Sequence, residues 1–139
     1  MPSIAQLRER VRGWFRRQPT VVTPRQVLIA EAKLNERTRL AEIVRRLGYD
    51  VLEASTVEEA LAALEKHDPQ FVLLALEVNE GGGLVALEQV RELAPEVPVV
   101  MLAADWRDGR TAEAMRRGAV AYLAPPFGPD DVREVLARH

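Results

Sequence analysis

The stretch FVLLALEVNEGGG, Phe71 to Gly83, decides how the rest of the chain is read. Five apolar residues, Phe71 to Ala75, make a run of strand length, and the stretch then passes through acidic and small residues to three glycines. Beyond them Leu87, Val90 and Leu93 recur at helical spacing up to Pro95. A buried strand, a glycine-rich loop and an amphipathic helix make one βα unit. In an open parallel sheet, ligands and chemistry collect where strand ends meet the loops that follow. Here that position is Ala75, which offers no nucleophile, no exchangeable proton and no metal-binding atom.

Moving outward, the same unit repeats. Val27 to Ala30 is a strand, and Leu40, Ile43, Val44 and Leu47 give the following helix up to Gly48, a C-cap candidate. Val51 to Ala54 is a second strand, with Glu53 suggesting a sheet edge. Thr56 and Glu59 are spaced as a capping box, Val57, Leu61 and Leu64 form the buried face, and His67-Asp68-Pro69 ends that helix. Val99 to Ala103 and Ala119 to Ala124 are the fourth and fifth strands, separated by a helix that reaches Arg117 and Gly118. Pro125-Pro126-Phe127-Gly128 is a rigid turn, and Pro129 opens a closing helix with Asp130 and Asp131 in its first turn and Val132, Val135 and Leu136 inside. Apolar strands alternating with helices predict a parallel sheet covered on both faces through right-handed crossovers. Five such units fill residues 25–139.

Composition narrows the function classes. A chain of 139 residues fits one domain of roughly 100–150 residues. It contains no cysteine, so disulfides, thiolate metal sites and redox couples are excluded, and the two histidines, His67 and His139, lie far apart at helix or chain ends. No metal and no cofactor is expected. Neither a leader-like apolar run nor a membrane-length apolar segment is present in the sequence, which predicts a cytoplasmic protein.

The net charge of −2 conceals an uneven distribution. Residues 1–24 carry Arg8, Arg10, Arg12, Arg16 and Arg17 against Glu9, a balance of +4, whereas the remainder carries −6. Within this basic arm Ile4, Leu7, Val11, Trp14 and Phe15 fall on one face of a helix, with Ser3 as its cap. Pro19 and Pro24 mark the linker to the body. Leu7, Val11, Trp14 and Phe15 with Arg12, Arg16 and Arg17 are contact candidates. Protein contact including self-association, an anionic membrane surface at the inner face of the membrane, and packing on the chain's own body are the alternatives. One short basic arm beside an acidic body is a weak footprint for nucleic acid.

With the five units in place, the sequence resembles the receiver domain of two-component response regulators over about 115 of the 139 residues. The resemblance rests on VLIAEAKLNERTRLAEIVRRLGYDVLEAS, VEEALAALEKHDPQFVLLALEV, LAPEVPVVMLAA and AMRRGAVAYLAPPF. It implies a flavodoxin-like, doubly wound five-stranded parallel sheet in the order 2-1-3-4-5. It also implies a chemistry. Two adjacent acids after the first strand and an aspartate ending the third hold magnesium; that aspartate takes a phosphoryl group from a histidine kinase, and a hydroxyl residue and a lysine bind its oxygens. The positions that match are Glu31 and Ala32 for the acidic pair, Ala75 for the phosphoacceptor, Ala103 for the hydroxyl and Pro125 for the lysine. One carboxylate of the set remains, so the sequence resembles a degenerate, or pseudo-, receiver.

Other family features match. Tyr122 takes the place of the fifth-strand aromatic that swings inward on activation, and it is expected to hold one orientation here without a phosphate signal, or else to be an ordinary half-buried strand aromatic. Pro126 matches a proline preceded by a cis bond, making Pro125-Pro126 a cis candidate. Glu80-Gly81-Gly82-Gly83 could cradle an anion on backbone N–H groups, although it lacks a dinucleotide or Walker fingerprint and reads more simply as a loop. Trp106 is either an interface anchor or a cover over the emptied pocket.

No output domain follows in this sequence, so the expectation is a stand-alone, non-enzymatic, phosphorylation-independent interaction or scaffold module in a signalling pathway. Its expected working face is the fourth helix, fifth strand and fifth helix, with Trp106, Arg116, Arg117, Tyr122 and Phe127 as partner-binding candidates for another protein or a second copy. The competing expectations are a receiver regulated by a small anion or nucleotide at the strand ends, through Glu31 and the glycine loop, and a membrane-recruited adaptor.

Overall fold

A computed structural model describes residues 25–78, 82–105 and 107–139. The basic arm and Trp106 lie outside the described residues, as do residues 79–81 of the glycine loop. Five strands alternate with five helices: β1 Gln26–Ala30, α1 Leu34–Arg46, β2 Asp50–Ala54, α2 Val57–Lys66, β3 Phe71–Ala75, α3 Gly82–Leu93, β4 Val99–Leu102, α4 Gly109–Arg116, β5 Ala121–Leu123 and α5 Pro129–Arg138. All pairings are parallel and the strand order is β2-β1-β3-β4-β5, the doubly wound arrangement the resemblance implies. The register sets Val27 beside Phe71, Val72 beside Val99 and Val100 beside Ala121.

The period of two along each strand divides the core into two layers. Leu28, Val72, Leu74, Val99 and Met101 face one way, onto Leu64 of α2, Leu87 and Val90 of α3 and Ala114 of α4. Val27, Ile29, Leu73 and Val100 face the other way, onto Leu40 and Val44 of α1 and Val132 and Leu136 of α5. β3 is buried throughout because helices cover both of its faces and β1 and β4 flank it. The edge strand β2 is buried only at Ala54, and its Glu53 is solvated, where it pairs with Arg37 and Arg45 of α1.

Local signals place the helix ends. Gly48 follows α1 with φ +98°, a left-handed conformation that glycine adopts without a Cβ penalty. The Thr56 Oγ1 accepts the Glu59 N–H at 3.1 Å, as the capping box predicts. The reciprocal bond is displaced by one residue, however: the Glu59 carboxylate accepts from the N–H and hydroxyl of Ser55, at 2.8 and 3.0 Å. Ser55 offers two donors where Thr56 would offer one, and they hold the Glu59 carboxyl below its ordinary range. β5 is shorter than its apolar run, since Ala119 and Val120 bond back to Ala114 and Val99 before the strand begins. Leu61, Leu93 and Val135 are half-buried rather than fully interior. Among the described residues no helix is long and apolar enough to cross a membrane.

The link between β3 and α3 is the tightest contact near the strand mouth. A Cβ on Gly83 would lie 2.6 Å from the Leu76 Cα and 2.7 Å from the Ala75 carbonyl oxygen, both backbone atoms with little freedom to move. The Gly83 N–H also donates to the Leu76 carbonyl at 2.6 Å. Gly83→Ala is therefore expected to destabilise the chain by about 1–3 kcal/mol, as overpacking does. Thr56→Ala, which removes a cap from an otherwise unaltered helix, should cost about 1 kcal/mol. Urea unfolding of the three proteins checks both values, and a Gly83→Ala midpoint equal to the parent's would contradict the close approach.

Candidate functional site

The C-terminal ends of β1, β3 and β4 bring three of the five sequence-predicted site positions to one level. Ala30 pairs with Leu74 and Ala75 with Leu102, while the N–H groups of Glu31, Leu76 and Ala103 continue the ladder to Ala54, Leu102 and Leu123. At this mouth Glu31 is 7% exposed, Ala75 4% and Ala103 3%. Ala32 and Pro125 lie outside it in exposed loop positions, and the bond between Pro125 and Pro126 is cis, as expected.

Glu31 is the buried carboxylate of the group. One carboxylate oxygen accepts the Lys33 N–H at 3.1 Å, and its backbone carbonyl accepts from Arg37 Nη1 at 2.8 Å. Burial raises the Glu31 carboxyl above its ordinary 4.5; the Lys33 N–H opposes this, and the Glu36 carboxylate adds to it. Among the described residues there is no cluster of three or more side chains able to hold a metal ion.

Sequence reasoning missed the ion pairs around the mouth. Arg110, in the first turn of α4, reaches Glu77, two residues beyond β3, at 3.1 Å, and Asp108, the α4 N-cap, at 2.7 Å. The Asp108 carboxylate also accepts the Arg110 N–H at 2.9 Å, and the Arg110 guanidinium holds its carboxyl below the usual range. The loop after β3 is thus tied to the start of α4 by side chains alone. Asp108 directly before a helix was a readable cap signal; the pairing of Arg110 with Glu77, 33 residues away, was not.

A second feature lies along α4, β5 and α5: a groove of about 470 Å³. Tyr122, Leu123 and Phe127 line it together with Met115 and Val135, which sequence reasoning left out as contacts, and Asp131 and Glu134 stand on its α5 side. Tyr122 is 41% exposed and Met115 38%. Phe127 is partly covered by Arg39 of α1, whose guanidinium stacks 5.4 Å from the ring centre and donates to the Phe127 carbonyl at 2.7 Å. Arg116 and Arg117 are not among the lining residues. Both pair with Glu113, and Arg117 also bonds Glu88 of α3.

The raised Glu31 carboxyl has a stability consequence. A folded-state value above the unfolded one means that the folded chain binds the proton more tightly, so stability falls as pH rises from 4.5 through the folded value. Glu31→Gln keeps an oxygen for the Lys33 N–H and removes the charge. Its melting temperature should exceed the parent's at pH 7, with the gap closing below pH 4.5. A gap independent of pH would contradict a buried ionised Glu31.

The same fold occurs among known proteins. Residues 27–137 match the response regulator receiver domain. The chain is 34% identical over 112 residues to the transcriptional regulatory protein PdtaR of Mycobacterium tuberculosis, an alignment covering 78% of this chain and 53% of that protein, so it spans about half of that relative's length. It is 30% identical over 116 residues to the chemotaxis protein CheY of Listeria monocytogenes, covering 81% of this chain and 96% of CheY. The crystal structure of the receiver domain of NtrX from Brucella abortus superposes with a TM-score of 0.76 at 29% identity, covering 81% of this chain and 95% of that one. By sequence match, strand order and helix placement, this chain belongs to the response regulator receiver domain family.

Proposed function

We propose that this receiver domain works without phosphorylation, as a non-enzymatic protein–protein interaction module in a cytoplasmic signalling pathway. What supports this reading most is Ala75. Phosphoryl transfer needs a nucleophile at the end of β3, and a methyl group supplies none. The other positions agree. Magnesium favours oxygen ligands, usually one or two carboxylates completed by water and phosphate, and of the five matching positions only Glu31 carries one. Ala103 and Pro125 offer neither a hydroxyl nor an ammonium to a phosphoryl oxygen.

In phosphorylated relatives the resemblance assigns the switch to a hydroxyl residue that moves toward the phosphoryl group. Here the Glu77–Arg110–Asp108 bridge already joins the loop after β3 to α4. We read it as holding one arrangement of the α4–β5–α5 face, which presents Tyr122, Met115 and Phe127 to a partner. Trp106 and the basic arm are the further contacts in this reading.

Incubation with acetyl phosphate and magnesium should add no phosphoryl mass to the intact protein. Common nucleotides should leave its melting temperature unchanged. A phosphorylated species would overturn the proposal outright. A stabilisation of several degrees by a nucleotide would favour the competing reading, in which the strand ends bind a small anion.

A further inference from the structure

The groove along α4, β5 and α5 leaves Tyr122 and Met115 partly exposed, and Leu123 and Val135 line it beside them. Exposed aromatic and thioether groups gathered in a groove of mixed polar and apolar lining suit the docking of an amphipathic segment. The sequence itself contains a segment of matching character. The spacing of Ile4, Leu7, Val11, Trp14 and Phe15 within residues 3–17 would put them on one face of an amphipathic helix, among arginines. The segment up to residue 24 carries +4 and the body −6. Asp131 and Glu134 stand on the α5 side of the groove beside Arg138, which pairs with Glu134, so the charge that complements the arm is that of the acidic body as a whole.

Chain length allows the same molecule to supply that segment. All five strands run parallel, so β1 and β5 start at the same end of the sheet, and α5 returns to that end with Arg138 and His139. Between β1 and β5 lie β3 and β4, a separation of three strand spacings or about 14 Å. Residues 18–24 reach about 23–25 Å when extended. The fifteen residues before them would extend about 22 Å as a helix, enough to follow α5 over its length. A tether this short keeps the arm at an effective concentration in the millimolar range, which favours docking within one molecule over a second copy.

We propose that the N-terminal arm, residues 3–17, docks in the groove between α4, β5 and α5 of its own chain, so that a partner of this face must displace it. This rests on the reading of that face as the working surface. In this arrangement Val11, Trp14 and Phe15 meet Met115, Tyr122 and Val135, with Arg12 and Arg16 turned toward the acidic body. The arm is then a built-in competitor for the surface, and becomes a contact to the partner only once displaced.

Because the chain contains no cysteine, a pair of introduced cysteines reports the contact cleanly. In the full chain, Val11→Cys with Met115→Cys should form a disulfide within the monomer at least about tenfold faster than Val11→Cys with Glu58→Cys, which places the second thiol on α2 beside the far edge of the sheet. Leu7→Cys with Val135→Cys serves as a second pair if the first protein fails to fold. Equal rates for the groove and α2 pairs would overturn the proposal. A cross-link forming only between two molecules would also overturn it, while leaving the α4–β5–α5 face in use. The absence of phosphoryl uptake is measured separately, so the failure of either reading is visible without the other.

Discussion

β3 is enclosed on every side, and that enclosure constrains the rest of the molecule. Its five residues are buried between β1 and β4 and beneath helices on both faces. Desolvated backbone groups must find partners within the sheet, and β3 satisfies them through both neighbours. The approach of α3 to its end leaves no room for a Cβ at Gly83. Packing and ladder bonds therefore shape the strand mouth around the alanine at its centre.

An aspartate at such a mouth would carry a charge into a buried position, a cost that related proteins offset with a cation and hydrogen bonds. Ala75 avoids that cost. Glu31 still bears it, as its raised carboxyl shows. Around the mouth, exposed arginines bind carboxylates on neighbouring loops, and such partly solvated pairs contribute modestly to stability. Their structural effect is geometric: they connect the loop after β3 with α4, and α4 forms one wall of the groove.

Much of this was readable from residue order. The apolar runs Val27 to Ala30, Phe71 to Ala75 and Val99 to Leu102 appear as strands because no other element suits short unbroken apolar segments between helices. The strand order came from resemblance, since spacing alone does not say which parallel strands are neighbours. The matching positions Glu31, Ala75 and Ala103 meet at one sheet end because they follow adjacent strands. What stayed hidden depends on side-chain reach across the fold: Arg110 finding Glu77, Glu59 choosing Ser55, and Met115 joining Val135 beside Tyr122. Arg116 and Arg117, partner-contact candidates in the sequence, also find Glu113 at helix spacing.

The central claim is that the strand mouth no longer receives a phosphoryl signal. Nuclear magnetic resonance of the full chain, titrated with magnesium and beryllofluoride, tests this residue by residue. The account predicts that the amide signals of Ala75, Ala103 and Tyr122 stay in place. Movement of Ala75 and Ala103 together with Tyr122 would show a working site coupled to the α4–β5–α5 face, and would contradict it.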